Sequence, residues 1–291
     1  MKNVLLTIEY DGTAFSGWQR QPGQRTVQGE LERVLSYLCN QEITIAGTSR
    51  TDAGVHAYGQ RATLKGDFGI PTERIAQAAN NLLKGKGLHS IGDIRILNAV
   101  EMPSEFHARF DCVGKKYIYR IRNAREPDIM QRNYCYQVNL HLDLKAMKEA
   151  ASYLEGEQDF KTFMAAGGKE MESTVRTIYK ATFREEPFES NYIQKSKRLR
   201  SPGRMEDDRC DRWIFFEIIG NGFLYNMVRI IIGTLVDIGM GKISAKSMKE
   251  IIESLDRRNA GHTAPPQGLY LAEAYYDINQ IMKETQPKEE N

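Results

Sequence analysis

The chain has 291 residues, 41% of them hydrophobic, so it is long enough to bury a core in one large domain or two smaller ones. Its 40 basic and 38 acidic residues leave a formal charge of +2, so a polyanionic partner must be met by a local patch and not by the overall field. The four cysteines lie far apart, with no C-x-x-C pair and no histidine at ligand spacing, which argues against a disulfide framework or a zinc site.

Two further features bear on location. The apolar run at the start of the chain is brief and is interrupted by Thr7 and Glu9, which is atypical of a signal peptide. The longest apolar stretch, residues 223–240, contains Asn226, Arg229 and Asp237, which a membrane span would not tolerate well. We therefore expect a cytoplasmic protein without a membrane segment.

The first half of the chain alternates predicted strands and helices. Residues 4–10 alternate apolar and polar side chains and end at the turn Asp11-Gly12, as a half-buried strand does. Thr26 is a predicted cap for a helix with one apolar face. The remaining predicted elements are strands at 43–46 and 61–64, a helix at 71–83 and a strand at 91–100.

The second half opens with a predicted strand at 115–122, in which Tyr117 and Tyr119 share one face. Several strands follow one another directly, which predicts an α+β fold on a mixed or antiparallel sheet and not a doubly wound nucleotide-binding fold. The other predicted elements are a helix at 142–154, strands at 174–183 and 213–219, an apolar helix at 223–239 and a last strand at 269–276.

Two segments lack core-forming residues. Residues 195–212 hold seven basic and four acidic residues and almost no apolar ones, which predicts a solvated insertion between strands. Such a loop either contacts RNA phosphates or simply remains in solvent. The tail at 282–291 is predicted to be frayed.

The polar loop from Gly47 to Gln60 is the richest local candidate for a functional site. It concentrates Arg50, Asp52 and His56 within a few residues, an arrangement that can present charge at a cleft. From spacing alone, Asp52-Ala53-Gly54 is most simply a turn whose carboxylate accepts backbone hydrogen bonds. The pattern by itself does not name a reaction.

The loop resembles the G-R-T-D-A-G-V-H-A-x-G-Q motif of the tRNA pseudouridine synthase A family, with Asp52 at the position of the catalytic aspartate. Ser49 stands where that family usually has glycine. The resemblance extends from about residue 3 to residue 276. It is carried in the same order by E-Y-D-G at 9–12, G-W-Q-R-Q at 17–21, F-H-A-R-F at 106–110, K-K-Y-I-Y at 115–119, G-F-L-Y-N-M-V-R at 222–229 and G-L-Y-L at 268–271.

The resemblance implies a pseudouridine synthase fold with two similar subdomains. We expect an N-terminal subdomain over 1–110 and a C-terminal one over 111–281, with sheets that meet at a central cleft. That cleft would hold Asp52, Tyr117 and Arg229. The family further implies a homodimer that binds tRNA and modifies uridines at positions 38–40 of the anticodon stem-loop.

The implied reaction isomerises uridine to pseudouridine without a cofactor or a metal. Asp52 is the expected nucleophile, and it either adds to the uracil ring, adds to C1′ or stabilises the separated sugar. Each route needs the charged carboxylate, and the family places the arginine matching Arg229 beside it. Tyr117 matches the tyrosine whose ring stacks on the target base and whose hydroxyl lies near the exchanging protons.

Five other residues are candidates for substrate contact. A uridine in a stem must be flipped out before it can react, and Arg50 and His56 are candidates to line the gap. Either histidine of the loops, His56 or His107, is equally typical of a structural histidine bonded within the protein. Arg109 is a further candidate for substrate contact. Arg20, like Arg25, Lys115 and Lys116, is a candidate for phosphate contact, although exposed basic residues often serve only solubility.

Two other functions stay open at this stage. One is a catalytically silent module that binds or remodels tRNA through the same cleft. The other is a carboxylate-based hydrolase, which needs two acids at different pKa values. The sequence offers no second acid after Asp52 until Asp67.

Overall fold

The computed structural model describes residues 1–84, 92–167, 172–187 and 211–286. Within these ranges the backbone forms one ten-stranded mixed sheet, with the path β4-β1-β3-β10-β5-β9-β8-β7, β2 beside β3 and β6 beside β5. The strands are β1 (Lys2–Tyr10), β2 (Ile45–Gly47), β3 (His56–Gly66), β4 (Ile94–Glu101), β5 (Gly114–Asn123), β6 (Tyr136–Val138), β7 (Gly156–Asp159), β8 (Val175–Pro187), β9 (Arg212–Gly220) and β10 (Leu269–Tyr275).

Six α-helices accompany the sheet in the described ranges. They are α1 (Val27–Cys39), α2 (Thr72–Lys84), α3 (Leu144–Ser152), α4 (Met227–Gly239), α5 (Ser247–Glu253) and α6 (Ile278–Thr285). The prediction of an α+β fold on a mixed sheet is confirmed. None of the helices in the described ranges is both long and apolar enough to cross a membrane.

The last strand of the chain joins its two halves. β10 pairs in parallel with β3 of the first half and antiparallel with β5 of the second. One continuous sheet therefore crosses the predicted boundary between residues 110 and 111, instead of two sheets that meet there. The division into two subdomains stays a prediction.

The helices bury their apolar faces on the sheet as their periodicity predicts. Thr26 caps α1 by accepting a hydrogen bond from the Gly29 N–H, and Val27, Leu31 and Val34 of this helix are fully buried. In α4, every residue except Arg229 and Asp237 is buried. A helix that is apolar almost all round must lie in the core, so the position of Arg229 on it is unusual.

Several predicted boundaries are wrong for identifiable reasons. The apolar helix begins at Met227 and not at residue 223, because Asn226 takes a left-handed backbone conformation with φ 59°. His56 already belongs to β3, so the polar loop ends at Val55 and not at Gln60. The polar composition of residues 56–61 hides a strand whose partners are strands distant in sequence.

One end of each segment predicted to lack structure lies in a regular element. Arg212, the predicted end of the basic insertion, is the first residue of β9, while residues 195–210 lie outside the described ranges. The predicted frayed tail from 282 begins inside α6, where Glu284 accepts hydrogen bonds from Lys116 and Tyr275. Lys116 is distant from Glu284 in the sequence, and Tyr275 lies nine residues before it. The local composition of the tail does not reveal either partner. Residues 287–291 lie outside the described ranges.

Candidate active site

The loop that carries Asp52 rests on a buried tryptophan. Trp18 is 2% exposed, and its backbone N–H donates to the Thr51 carbonyl at 3.1 Å. A Cβ on Gly47 would lie 2.5 Å from the Trp18 ring, and one on Gly17, whose φ is +90°, would lie 2.6 Å from the Thr51 carbonyl oxygen. Only glycine permits contacts this close at both positions. Gly17 and Gly47 therefore determine how closely the loop packs against Trp18 and the backbone beside it.

The other end of the loop is held by the segment after β1. A Cβ on Gly12 would lie 2.0 Å from the Val55 carbonyl oxygen, so the two backbones touch. The Val55 N–H donates to the Asp52 carbonyl at 3.2 Å, which closes the turn expected from Asp52-Ala53-Gly54, with Gly54 at φ +78°. The backbone around Asp52 is thus held from both sides.

The Asp52 side chain forms an ion pair with Arg229 of α4. Nη1 of Arg229 donates to Oδ2 of Asp52 at 3.1 Å, and the side chains are 15% and 30% exposed respectively. Their separation of 177 residues makes this a contact between the two halves of the chain. A partly buried guanidinium at this distance fixes the orientation of the carboxylate.

The guanidinium of Arg229 is itself held in place. Its Nε donates to the Ala264 carbonyl at 2.8 Å, and its Nη1 also donates to the Asn226 side chain at 2.7 Å. The Ala264 N–H donates back to the Arg229 carbonyl at 3.0 Å. A planar guanidinium with several fixed acceptors has little freedom to leave Asp52.

Tyr117 of β5 lies on the same side of the sheet as this ion pair. Its side chain is 6% exposed, its hydroxyl lies 3.0 Å from the Ser49 hydroxyl, and its ring meets Phe223 edge-on at 5.1 Å. Burial, with a smaller contribution from the charge of Asp52, raises the pKa of Tyr117 to about 12. The phenol is therefore protonated at neutral pH.

Tyr119, the next residue on that face, has a structural role. It is fully buried, and its hydroxyl donates to the Pro265 carbonyl at 2.7 Å. A Cβ on Gly268 would lie 2.6 Å from its ring. Of the two tyrosines, Tyr117 alone has its hydroxyl bonded to the Asp52 loop.

The predicted arginines at the loop are more exposed than Arg229. Nε of Arg50 donates to the Gln19 side chain at 3.1 Å, and the residue is exposed. The Arg20 side chain is 60% exposed and lies 3.2 Å from the carboxylate of Glu32. The contacts of these two side chains are with Gln19 and Glu32 and not with Asp52.

His56, a predicted substrate contact, lies inside the protein with both ring nitrogens in contact. It is 2% exposed, its Nδ1 accepts from the Gly12 N–H at 3.0 Å, and its Nε2 lies 2.9 Å from the Asn133 carbonyl oxygen. Burial lowers its pKa, so the ring is neutral at pH 7. With both nitrogens engaged and its ring stacked on Tyr270 at 4.7 Å, it has the structural role that was the alternative.

The F-H-A-R-F segment forms a separate exposed turn. Nδ1 of His107 accepts from the Arg109 N–H at 3.1 Å, which is again a structural use of a histidine. Arg109 is exposed and lies over the ring of Phe110, which is 76% exposed. The Arg109 side chain is open to solvent, whereas the His107 side chain accepts a hydrogen bond from the backbone of its own turn.

Several residues at the cleft were not singled out in the sequence. Asn226 and the Ala264 carbonyl hold Arg229, while fully buried Gln60 donates to the Ser49 carbonyl at 2.7 Å. A helix preceded by Asn was the available signal for Asn226, since asparagine tolerates the left-handed conformation. Gln60 is the last residue of the motif quoted above for the Asp52 loop, and no local signal marks the Ala264 carbonyl. In the described ranges no group of three or more His, Cys, Asp or Glu side chains could hold a metal ion.

A protein-family model described as tRNA pseudouridine synthase matches residues 6–111 and 150–277 of this chain. The motifs that resemble this class of protein include the Asp52 loop and the residues at the start of α4. The match leaves out residues 112–149, which include Tyr117, and it spans the two segments that supply the Asp52–Arg229 ion pair.

Full-length relatives narrow the class. The chain is 44% identical to tRNA pseudouridine synthase A of Ruminiclostridium cellulolyticum over 276 residues, which are 95% of this chain and 100% of the relative. It is 43% identical to the protein of the same name from Geobacillus sp. strain WCH70, over 95% of this chain and 99% of that one. The protein of that name from Acetivibrio thermocellus is 41% identical over 95% and 100%. The chain belongs to the tRNA pseudouridine synthase A family.

Proposed function

We propose that this chain isomerises uridine to pseudouridine in tRNA, with the Asp52 carboxylate as the nucleophile. The observation that carries the proposal is the ion pair between Asp52 and Arg229, which fixes a partly buried carboxylate where the two halves of the chain meet. The family of the chain supports the same reaction.

The reaction needs little more than such a group. The N1–C1′ bond of the nucleotide breaks, a C5–C1′ bond forms, C5 loses a proton and N1 gains one, so atoms and charge balance without a cofactor. Asp52 either forms a covalent intermediate with the ring or C1′, or stabilises the separated sugar. In each case Arg229 holds the carboxylate in a fixed orientation.

Tyr117 is the proposed aromatic partner of the flipped base. Its ring stands beside Phe223, and its protonated hydroxyl can donate a hydrogen bond to a uracil at the carboxylate. Exposed Arg50, Arg20 and Arg109 are the proposed contacts to the RNA backbone around the cleft. His56 and His107 support the protein's own backbone instead.

Three finer points are also proposals. We place the target uridines at positions 38–40 of the anticodon stem-loop, as the family resemblance implies. We further propose that the protein is a homodimer, for which the molar mass in solution is the direct measurement. A cytoplasmic location suits a tRNA substrate and the three described cysteines, which are free thiols.

The decisive experiment compares the unaltered protein with Asp52→Asn on unmodified tRNA, without added metal. We expect the unaltered protein to produce pseudouridine and the variant to lose at least about 10³-fold in rate, because an amide cannot act as the nucleophile. Binding of tRNA should stay within about twofold, since the amide retains an acceptor for Arg229. Asp67→Asn, which removes an exposed acid just beyond the far end of β3, is the matched control and should keep full activity.

The outcomes separate the competing functions. If the unaltered protein and Asp52→Asn both bind tRNA and neither forms pseudouridine on any tRNA, the chain is a silent tRNA-binding module. If Asp67→Asn is as inactive as Asp52→Asn, a two-carboxylate mechanism replaces the proposed one. Mapping pseudouridine in total tRNA from a deletion strain then tests positions 38–40.

A further inference from the structure

The Asp52 loop touches Tyr117 through a side chain that the reaction described above does not use. The hydroxyls of Ser49 and Tyr117 lie 3.0 Å apart, and the two residues are 68 positions apart in the chain. Ser49 is three residues before Asp52 on the same loop, and Tyr117 is on β5, which is separated from β3 by β10. The contact therefore ties the loop of the nucleophile to the phenol across the centre of the sheet.

The backbone of Ser49 is clamped by a buried amide. Gln60, which is fully buried in β3, donates from Nε2 to the Ser49 carbonyl at 2.7 Å and accepts from the Ser49 N–H at 3.4 Å. Its Oε1 also accepts from the Arg61 N–H at 3.1 Å. Ser49 is thus fixed through its main chain. Its hydroxyl donates at the long distance of 3.5 Å to the Arg50 carbonyl and lies 3.0 Å from the Tyr117 hydroxyl.

The Tyr117 hydroxyl can donate to a bound base only when its O–H bond points towards that base. The phenol of Tyr117 has one proton to donate, and rotation about the C–O bond determines where that proton points. With Ser49 as partner, either the proton or a lone pair of the phenol is committed to the loop, and the other stays available to a bound base. Burial keeps the proton on this oxygen at neutral pH.

We propose that Ser49 is a positioning residue whose hydroxyl fixes the direction of the Tyr117 hydroxyl for the isomerisation. The inference rests on the proposed function and deepens it. It assigns to Ser49 an effect on the rate of the chemical step and none on the affinity for tRNA, because the Ser49 hydroxyl acts through Tyr117.

The same loop offers a matched control one residue earlier. Thr48 is 2% exposed, and its hydroxyl lies 2.7 Å from the Tyr276 hydroxyl and donates to the Ala108 carbonyl at 3.0 Å. It is also a hydroxyl–phenol pair of the loop, but its phenol is bonded to the Ala108 carbonyl and not directed to the cleft. A substitution that removes the Thr48 hydroxyl therefore measures how much the stability of the loop alone contributes to the rate.

The test measures single-turnover rate constants and tRNA affinities for the unaltered protein, Ser49→Ala, Ser49→Thr and Thr48→Val. We expect Ser49→Ala to lose about five- to tenfold in rate, as for one lost neutral hydrogen bond, with tRNA affinity within twofold. Ser49→Thr keeps a hydroxyl and should stay within twofold in rate. Thr48→Val should keep its rate although its melting temperature falls.

Two results would overturn the inference. The first is a Ser49→Ala rate equal to that of the unaltered protein, which leaves the proposed function intact and removes the role of Ser49. The second is an equal fall in rate for Thr48→Val, which shows that loop stability explains the effect. An inactive unaltered protein would refute the proposed function itself, so the two failures are distinguishable.

Discussion

The two segments that meet in the ion pair are built in opposite ways. Asp52 lies on an irregular loop whose position depends on close backbone contacts at Gly17 and Gly47. Arg229 lies on α4, a regular helix that is buried on nearly all sides. The loop that carries Asp52 is positioned by glycines, whose missing Cβ atoms allow close contacts. The Arg229 side chain is positioned by hydrogen bonds to fixed acceptors.

This difference indicates where each segment is vulnerable. A loop that depends on close contacts at glycines is destabilised when a methyl group is added to one of them, because buried neighbours cannot move away. A charged side chain on an apolar helix fails when one of its fixed partners is removed, because the remaining charge is left incompletely paired. The predictions below test each half of this comparison separately.

Removing the cation should have the largest effect. Arg229→Met keeps similar bulk without the charge, and we expect the rate of pseudouridine formation to fall by about 10²- to 10³-fold, since Asp52 loses its pairing and orientation. Arg229→Lys should lose about tenfold, because an ammonium group cannot bond Ala264, Asn226 and Asp52 in the same planar arrangement. Single-turnover assays measure both.

Arg258→Met is the control for that prediction, since its side chain is 88% exposed and is paired only with nearby Asp256. It should keep full activity. Equal rates for Arg229→Met and Arg258→Met would show that the ion pair does not serve the reaction.

Adding a methyl group at Gly47 should break the loop. The new Cβ would lie 2.5 Å from the ring of Trp18, so we expect the free energy of unfolding to fall by about 3 kcal/mol and the activity to fall with it. Urea unfolding measures the first and the pseudouridine assay the second. Gly69→Ala is the matched control, because nothing lies within 4 Å of its Cβ position and its φ is not in the left-handed region. An unchanged stability of Gly47→Ala would contradict the packing argument.

Two substitutions at Asn226 separate strain from hydrogen bonding on the helix side. Asn226→Ala places alanine at φ 59° and removes the bond to Arg229, so both stability and rate should fall, the former by about 1 kcal/mol. Asn226→Gly relieves the backbone strain but lacks the same bond, so its stability should recover while its rate stays low.

The melting temperatures and single-turnover rates of the two variants provide this comparison. If Asn226→Gly recovers both quantities, the hydrogen bond to Arg229 is unimportant and only the backbone conformation matters.

The smallest effect is a pH dependence of stability. Because the pKa of Tyr117 is raised from 10.0 to about 12 in the folded protein, its contribution is fully present below pH 10 and is lost as the pH rises towards 12. Between pH 10 and 11, the free energy of unfolding should therefore fall by about 1 kcal/mol more in the unaltered protein than in Tyr117→Phe. Urea unfolding at each pH measures the difference.

Tyr37→Phe, which changes a side chain that is 69% exposed, should reproduce the slope of the unaltered protein. A Tyr117→Phe slope equal to that of the unaltered protein would show that this phenol titrates freely and is not buried in solution.

Local patterns predicted most of the elements because their causes are local. The cap at Thr26, the apolar face of α1 and the alternation in β5 all arise from contacts within a few residues or from burial of one face. The starts of α4 and of the strand at His56 were misplaced, because a left-handed Asn226 and distant strand partners determine them. The helix at Ile278–Thr285 was not predicted at all, because side-chain partners outside it hold its end.

The sequence by itself determined the family, the strand and helix content and the identity of the charged groups, because motif residues and periodicity are properties of the chain. Only the tertiary structure decided which of those groups meet. It placed Arg229 beside Asp52 from 177 residues away, directed Tyr117 to Ser49 and turned His56 into a buried support. Contacts of this kind depend on the order of strands in the sheet, which is a property of the folded molecule as a whole.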